Sequence, residues 1–172
     1  MLDALVPRLP LMRRAFLAAL VQAAAASVCA QGIHLQSTNP VSGRLAVLED
    51  DGIMGYLYLS AAGSAVPIRA VVVYSRQPPV AKIDWSRISK TGDAPPISRD
   101  IASATAVIAK PNASELSFRW SRKGDAVALL RRGEPLAFAA ASRIDGQSKA
   151  VVRASPLAIP WNQRSYESIF EK

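Results

Sequence analysis

The sequence has almost none of the residues that carry covalent, redox or metal chemistry. Its 172 residues include one cysteine, Cys29, and one histidine, His34. A disulfide needs two cysteines and structural zinc sites use clusters of Cys and His, so the chain by itself has neither. His34 lies in a polar stretch where it would not be positioned for a Ser-His-Asp triad. We therefore expect no catalytic residue, no cofactor and no metal.

Motifs that bind nucleotides or cations are also lacking. There is no P-loop and no dinucleotide fingerprint. The acidic cluster 49–51 lacks the alternating ligand spacing of a calcium loop, and the glycine that follows it indicates a turn. Asp84 and Glu115 form the one carboxylate pair considered for glycoside chemistry, and both are predicted on strand faces open to solvent. A hydrolase is therefore the least favoured of three functions.

Long hydrophobic runs are missing, and the run at 15–26 is Ala-rich and interrupted by Gln22. It is too short to span a membrane comfortably. Arg13-Arg14 precedes it, and Val28 and Ala30 follow it at the −3 and −1 positions of a cleavage site. This arrangement predicts a secretory signal peptide over residues 1–30, cleaved after Ala30.

Two features of this segment leave alternatives open. Arg13-Arg14 before an Ala-Phe-Leu triplet is similar to the twin-arginine export motif, so both this route and the general secretory route remain. Met12 is an alternative initiator to Met1. A lipid-anchored Cys29 is disfavoured because Ala26 stands where lipoproteins have Leu. The mature chain is predicted to be periplasmic or secreted, with no transmembrane segment and no cysteine.

Negative charge is scarce. The chain has 21 Lys and Arg against 13 Asp and Glu, and residues 31–172 keep a net charge of +6. Such an excess is typical of proteins that meet an acidic partner. No aromatic residues alternate with a basic run as a nucleic-acid platform requires, so we predict no nucleic-acid partner. The candidate contact residues, taken from the basic turns and the longest loop, are Arg87, Lys90, Arg122, Lys123, Arg131 and Arg132.

Alternation of apolar and polar residues is the strongest structural signal that is present. Every second residue of 115–120 is apolar, as in a strand with one buried face. Residues 126–131 are apolar on both faces until the last, as in a central strand. Turn residues at Gly124 and Gly133 separate these strands from each other and from a third. A three-stranded meander is therefore predicted over residues 115–141.

The rest of the chain predicts more strands and one helix. Further strands are expected at 44–48, 53–59, 68–74, 80–85 and 149–154. Residues 31–42 are predicted to be an exposed lead-in, 86–100 an irregular loop, and 162–171 a short C-terminal helix. Residues 101–109 fit a strand and a helix equally well. Trp85 and Trp120 are interpreted as core residues at strand ends. The fold prediction is a single mainly β domain over 43–172, an antiparallel sheet or β-sandwich.

The order of several of these segments resembles a small uncharacterised bacterial domain family. Its members show EDDG and GYFY, followed by WS.DG.KAALLING.P.A.F. The corresponding segments here are 49–52, 55–58, 68–74, 119–124, 126–130 and 135–138. The similarity extends over about 44–141, with an extra segment around 87–109, and departs from the pattern at 123–125, 131–133 and 139–140. The resemblance implies a β-rich fold, and it carries over no catalytic residue and no known function.

Three functions follow, in order of preference. The first is an exported, non-catalytic interaction domain that binds another envelope or exported protein, for instance a toxin or enzyme that it blocks. The second is a binder of a small ligand or acidic polymer that uses the basic turns. The third is the carboxylate hydrolase.

Overall fold

The computed structural model describes residues 32–171, which form two β-sheets and two α-helices. The first sheet has four antiparallel strands in chain order: β1 (Ile33–Thr38), β2 (Leu45–Asp50), β3 (Met54–Ser60) and β4 (Pro67–Ser75). The second sheet is also in chain order: β5 (Leu116–Trp120), β6 (Ala126–Arg131), β7 (Glu134–Ala140), β8 (Gln147–Ser148) and β9 (Ile159–Pro160). Its strands are antiparallel except for the parallel pair β8 and β9. The helices are α1 (Trp85–Thr91) and α2 (Gln163–Phe170). The predicted signal peptide lies outside the described residues.

The main core lies between the two sheets. It combines Leu57 and Val71 of the first sheet with Val127 and Leu129 of the second, all with no exposed surface. Phe118 of β5 packs against this core from the same side as the other apolar residues of its strand. The predictions of a mainly β fold with a meander at 115–141 are therefore confirmed.

A second, smaller core lies on the outer face of the second sheet. Leu130 and Phe138 point to this face and are covered by Tyr166 and Phe170 of α2. Asn162 begins the helix, since its side chain accepts a hydrogen bond from the backbone N–H of Ser165 at 2.9 Å. The predicted C-terminal helix is confirmed. Both faces of β6 are apolar, so the face turned away from the main core is covered by this helix.

Four loops meet at one end of the sandwich, which we call the loop end. They span residues 39–44, 61–66, 121–125 and 141–146. The Ser42 hydroxyl donates to the Gly124 carbonyl at 2.7 Å, and the Gly63 N–H donates to the Gly43 carbonyl at 3.1 Å. The strands therefore run between this end and an opposite end.

Residues 31–42, expected to be an exposed lead-in, contribute a strand. β1 pairs along its whole length with β2, and Ile33 and Leu35 pack against the main core. His34, Gln36 and Thr38 alternate with these residues and are exposed, so the segment is a half-buried edge strand.

The predicted strand at 80–85 is wrong. Only Val80 forms a bridge, with Ser98, and the chain then turns into α1. The Asp84 carboxylate accepts a hydrogen bond from the backbone N–H of Arg87 at 2.9 Å, which favours helix at this point. Trp85 is consequently 49% exposed and is not a core residue. Residues 86–91 of the predicted irregular loop are therefore helical, while 92–100 are irregular apart from the bridge at Ser98.

Residues 101–109 form neither a helix nor a strand. They make turns and two isolated bridges, while Ile101 and Ala106 are buried in the main core. The predicted strand at 149–154 is also wrong, because the ladder ends at Ser148 and only Val151 forms a bridge beyond it. In both segments only a few apolar residues reach the core, namely Ile101 and Ala106 in the first and Ala150 and Val151 in the second, so neither has the continuous apolar face of a strand.

Candidate functional site

The predicted basic contact residues do not form one patch. Arg122 and Lys123 precede β6, whereas Arg131 and Arg132 stand at its far end. A strand rises about 3.3 Å per residue, so the two turns lie roughly 20 Å apart. Arg87 and Lys90 lie on α1, in the connection between the two sheets.

The basic turn at the end of β6 is engaged with a carboxylate. Arg131 Nε lies 2.8 Å from Glu115 Oε2, and Arg132 Nη2 lies 2.5 Å from Oε1 of the same side chain. Hydrogen bonds from Arg132 and Arg131 hold the pKa of Glu115 below its ordinary value. The interaction joins the start of β5 to the β6–β7 turn, so much of this positive charge is compensated.

The other basic turn is open. Arg122 and Lys123 are exposed, and neither forms an ion pair with any of residues 32–171. The neighbouring Asp125 carboxylate instead accepts a hydrogen bond from the Ser121 hydroxyl at 2.7 Å. This turn therefore adds uncompensated positive charge to the loop end.

A separate excursion of the chain carries α1. We define the α1 excursion as residues 81–96. The Val80 N–H donates to the Ile97 carbonyl at 3.0 Å, and the Arg99 N–H donates to the Val80 carbonyl at 2.8 Å. The chain thus leaves and returns at the same place. Gly92, at φ 73°, ends the helix and donates to the Ile88 carbonyl at 2.8 Å.

The side chains of α1 face solvent. None of its seven residues is buried. Trp85 stands in the first turn with half of its surface exposed, and Arg87 forms an ion pair with Asp93 at 2.9 Å. Lys82 and Lys90 are also exposed. Trp and Arg are the residue types that most often dominate binding energy at protein interfaces.

The returning side of the excursion is fixed to the sandwich. The Tyr56 hydroxyl donates to the Pro95 carbonyl at 2.6 Å, and Ile97 is fully buried in the main core. Burial, followed by the nearby Tyr58 and Asp51, raises the pKa of Tyr56 well above its ordinary value. Tyr56 therefore holds a structural position and keeps its proton.

The acidic cluster at 49–51 also serves the fold. The Asp50 side chain has no exposed surface and accepts hydrogen bonds from Tyr74 Oη at 2.7 Å and Arg76 Nε at 2.8 Å. The Asp51 carboxylate accepts the backbone N–H of Met54 at 2.7 Å, which closes the β2–β3 turn. Within residues 32–171 no three His, Cys, Asp or Glu side chains are grouped so that they would hold a metal ion.

Sequence reasoning missed the exposure of Trp85. Two residues in the sequence indicate the short helix that exposes this side chain. Asp84 is a residue type that begins helices, and Gly92 is one that ends them. A tryptophan in the first turn of such a helix has no strand face to pack on.

The single histidine of the sequence, His34, is exposed on β1.

Across residues 32–171 no helix has the length and apolar character that crossing a membrane requires. No family model, no curated protein and no solved structure matches the chain. The resemblance to the small bacterial domain family therefore stays a prediction.

Proposed function

We propose that this chain is an exported, non-catalytic binding domain that contacts a protein partner through the α1 excursion. One observation carries the proposal: a helix that buries none of its own residues presents a half-exposed Trp85. A large aromatic side chain in this position contributes little to the core, whereas in an interface it supplies large apolar contact area.

The excursion is also held in one place before binding. Its base is closed by the two backbone hydrogen bonds that join Val80 to Ile97 and Arg99, and the Tyr56 hydrogen bond fixes Pro95. A contact surface that is already ordered loses less conformational entropy when it binds. This supports recognition by a preformed element.

The surroundings of Trp85 define the chemistry of the partner. Lys82 and Lys90 are exposed, while the acidic Asp84 is occupied as the helix cap and Asp93 is paired with Arg87. The complementary surface is an apolar pocket for the indole with an acidic rim. Export rests on the predicted signal peptide, and it makes the partner another envelope or exported protein.

A photo-crosslinking amino acid at position 85 tests the proposal in cells of the source organism. We expect one dominant crosslinked protein from position 85 and none from position 152, where Val152 is 56% exposed on another part of the surface. Trp85→Ser should abolish copurification of that protein, whereas Val152→Ser should retain it. The proposal is wrong if Trp85→Ser retains the partner, or if both positions give the same crosslinks.

The alternative of a small ligand or acidic polymer bound by both basic turns has less support. The turns are at opposite ends of β6, and Glu115 is paired with both Arg131 and Arg132. The hydrolase has the least support, because Asp84 and Glu115 are each engaged in structural contacts.

A further inference from the structure

The loop end carries exposed aliphatic side chains on three of its four loops. Ile144 is 87% exposed, Val41 is 74% exposed and Val66 is 42% exposed. Single exposed aliphatic residues are common on protein surfaces. Val41 and Ile144 lie within their loops and Val66 directly precedes β4, so the three side chains are gathered at one end of the sandwich, where they present apolar surface to water.

Positive charge accompanies these side chains. Arg122 and Lys123 are exposed on loop 121–125, and Arg143 is exposed next to Ile144 on loop 141–146. Of the two acidic residues in the four loops, Asp125 is half-buried and bonded to Ser121, so Asp145 is the exposed one. The loop end is therefore both apolar at its tips and positively charged around them.

Hydrogen bonds hold the four loops in place. The Arg69 guanidinium donates to the carbonyls of Ala141, at 3.0 Å, and of Arg143. The Ala141 N–H donates to the Asp125 carbonyl at 2.8 Å, which ties the two basic loops together. The Asn39 side chain accepts the N–H groups of Val41 and Ser42 at 2.9 Å and 3.0 Å, so Val41 projects from a fixed turn.

We propose that the loop end docks on the surface of an anionic lipid bilayer. The tips of Val41, Val66 and Ile144 enter the head-group region, and Arg122, Lys123 and Arg143 meet the lipid phosphates. Charge complementarity selects this occupant, because basic residues at an anionic membrane surface are attracted within a Debye length. A dissolved polyanion would match the charges and leave the aliphatic tips in water.

The geometry separates this surface from the α1 excursion. β4 begins at the loop end with Pro67 and finishes at the opposite end with Ser75, and the excursion begins shortly after. A domain docked by its loop end therefore keeps the excursion clear of the bilayer. The two proposals stand independently, and each has its own residues.

Sedimentation of the chain lacking residues 1–30 with lipid vesicles tests the docking. We expect binding to vesicles containing phosphatidylglycerol, little binding to vesicles of phosphatidylcholine alone, and weaker binding as salt rises. The double variant Val41→Ser, Ile144→Ser and the double variant Arg122→Glu, Lys123→Glu should each weaken binding more than about tenfold. Val107→Ser, at an aliphatic residue that is 42% exposed beside Ser75 at the opposite end, should bind like the original chain.

Three outcomes would overturn the docking proposal. These are equal binding to both kinds of vesicle, binding that the Val41→Ser, Ile144→Ser variant leaves unchanged, and binding to soluble polyphosphate as tight as to the vesicles. Trp85→Ser should retain vesicle binding, so failure of docking and failure of the protein-binding proposal are distinguishable. The substituted side chains are all exposed, and circular dichroism of each variant establishes that the fold is intact.

Discussion

At the scale of single residues, one glycine lets two distant side chains meet. Asp50, Gly55 and Tyr74 lie side by side on β2, β3 and β4. A Cβ placed on Gly55 would lie 2.6 Å from the Tyr74 ring, so the ring crosses the middle strand where that strand has no side chain. The Tyr74 hydroxyl reaches Asp50 in this way, and Arg76 completes the group from the end of β4.

Removing the carboxylate of this group should be costly. Asp50→Ala leaves Arg76, whose side chain is 10% exposed, with an uncompensated charge and leaves Tyr74 without its acceptor. We expect the free energy of unfolding to fall by about 3–5 kcal/mol. Urea denaturation measures it, with exposed Glu49→Ala as the control, which should change stability by less than about 0.5 kcal/mol. Equal stability of the two variants would contradict this account of Asp50.

At the scale of elements, α2 depends on its contact with the outer face of the second sheet. Phe170 packs edge-on against Phe138, with ring centroids 5.7 Å apart, and stacks on Tyr166 at 4.9 Å. An eight-residue helix is too short to be stable in water alone. Its packing therefore determines whether it forms.

Truncating this contact tests the dependence. Phe170→Ala should lower the free energy of unfolding by about 3–5 kcal/mol, because it removes a buried ring that packs on both Phe138 and Tyr166 and leaves a cavity there. Guanidinium denaturation followed by circular dichroism gives the value. Arg164→Ala, at an exposed position on the same helix, is the matched control and should stay within about 0.5 kcal/mol of the original chain. A Phe170→Ala variant as stable as this control would show that α2 packs without that ring.

The elements that sequence reasoning predicted correctly are those whose own residues determine them. The meander follows from strict alternation and from turn glycines, and α2 follows from the Asn162 cap. β1 was missed because its buried face consists of Ile33, Leu35 and a serine, which makes the segment polar on average. α1 was missed because a seven-residue helix has a weak local signal and is supported by the closed base of its excursion.

The candidate site was predictable only in part. The sequence does predict that the two basic turns lie apart, because the strand β6 separates them. The pairing of Arg131 and Arg132 with Glu115 depends on the register of β5 against β6, which residue spacing alone does not determine. The exposed tips of the loop end likewise depend on which loops share an end of the sandwich.

At the scale of the whole molecule, the buried Tyr56 and Tyr74 and the half-buried Tyr58 make stability sensitive to alkaline pH. Burial raises the pKa of Tyr56, Tyr58 and Tyr74 above the ordinary value of 10.0, and the hydrogen bond to Asp50 adds to the effect at Tyr74. Above pH 10 the unfolded chain therefore loses protons that the folded chain keeps, so the free energy of unfolding falls as pH rises.

Urea denaturation at a series of pH values, from neutral to above 10, measures this loss. We expect a steep decline above pH 10, with tyrosinate absorbance appearing together with unfolding. Tyr58→Phe removes one of the three groups, and with it the contribution of Tyr58 to the raised pKa of Tyr56, so the decline should become shallower. Stability that stays constant above pH 10 would contradict the assignment of these tyrosines as protonated core residues.

The sandwich is joined along both of its sides. The Trp120 indole N–H donates to the Ser37 hydroxyl at 3.0 Å, which links the edge strands β5 and β1. On the other side the Val72 N–H donates to the Leu157 carbonyl at 3.1 Å, and Ser75 bridges to Val107. On the β4 side these contacts pair backbone groups that would otherwise be open to a further strand.

Because each sheet is built from one continuous part of the chain, we expect folding to divide into local strand pairing within each sheet and one long-range docking step between them. Strands that pair with their sequence neighbours form rapidly, since little loop entropy is lost. The core residues Leu57 and Leu129 meet only when the two finished sheets come together. The α1 excursion lies at the junction of the two parts, outside both ladders, so a nick or an inserted domain at Gly92 would leave every strand pairing intact.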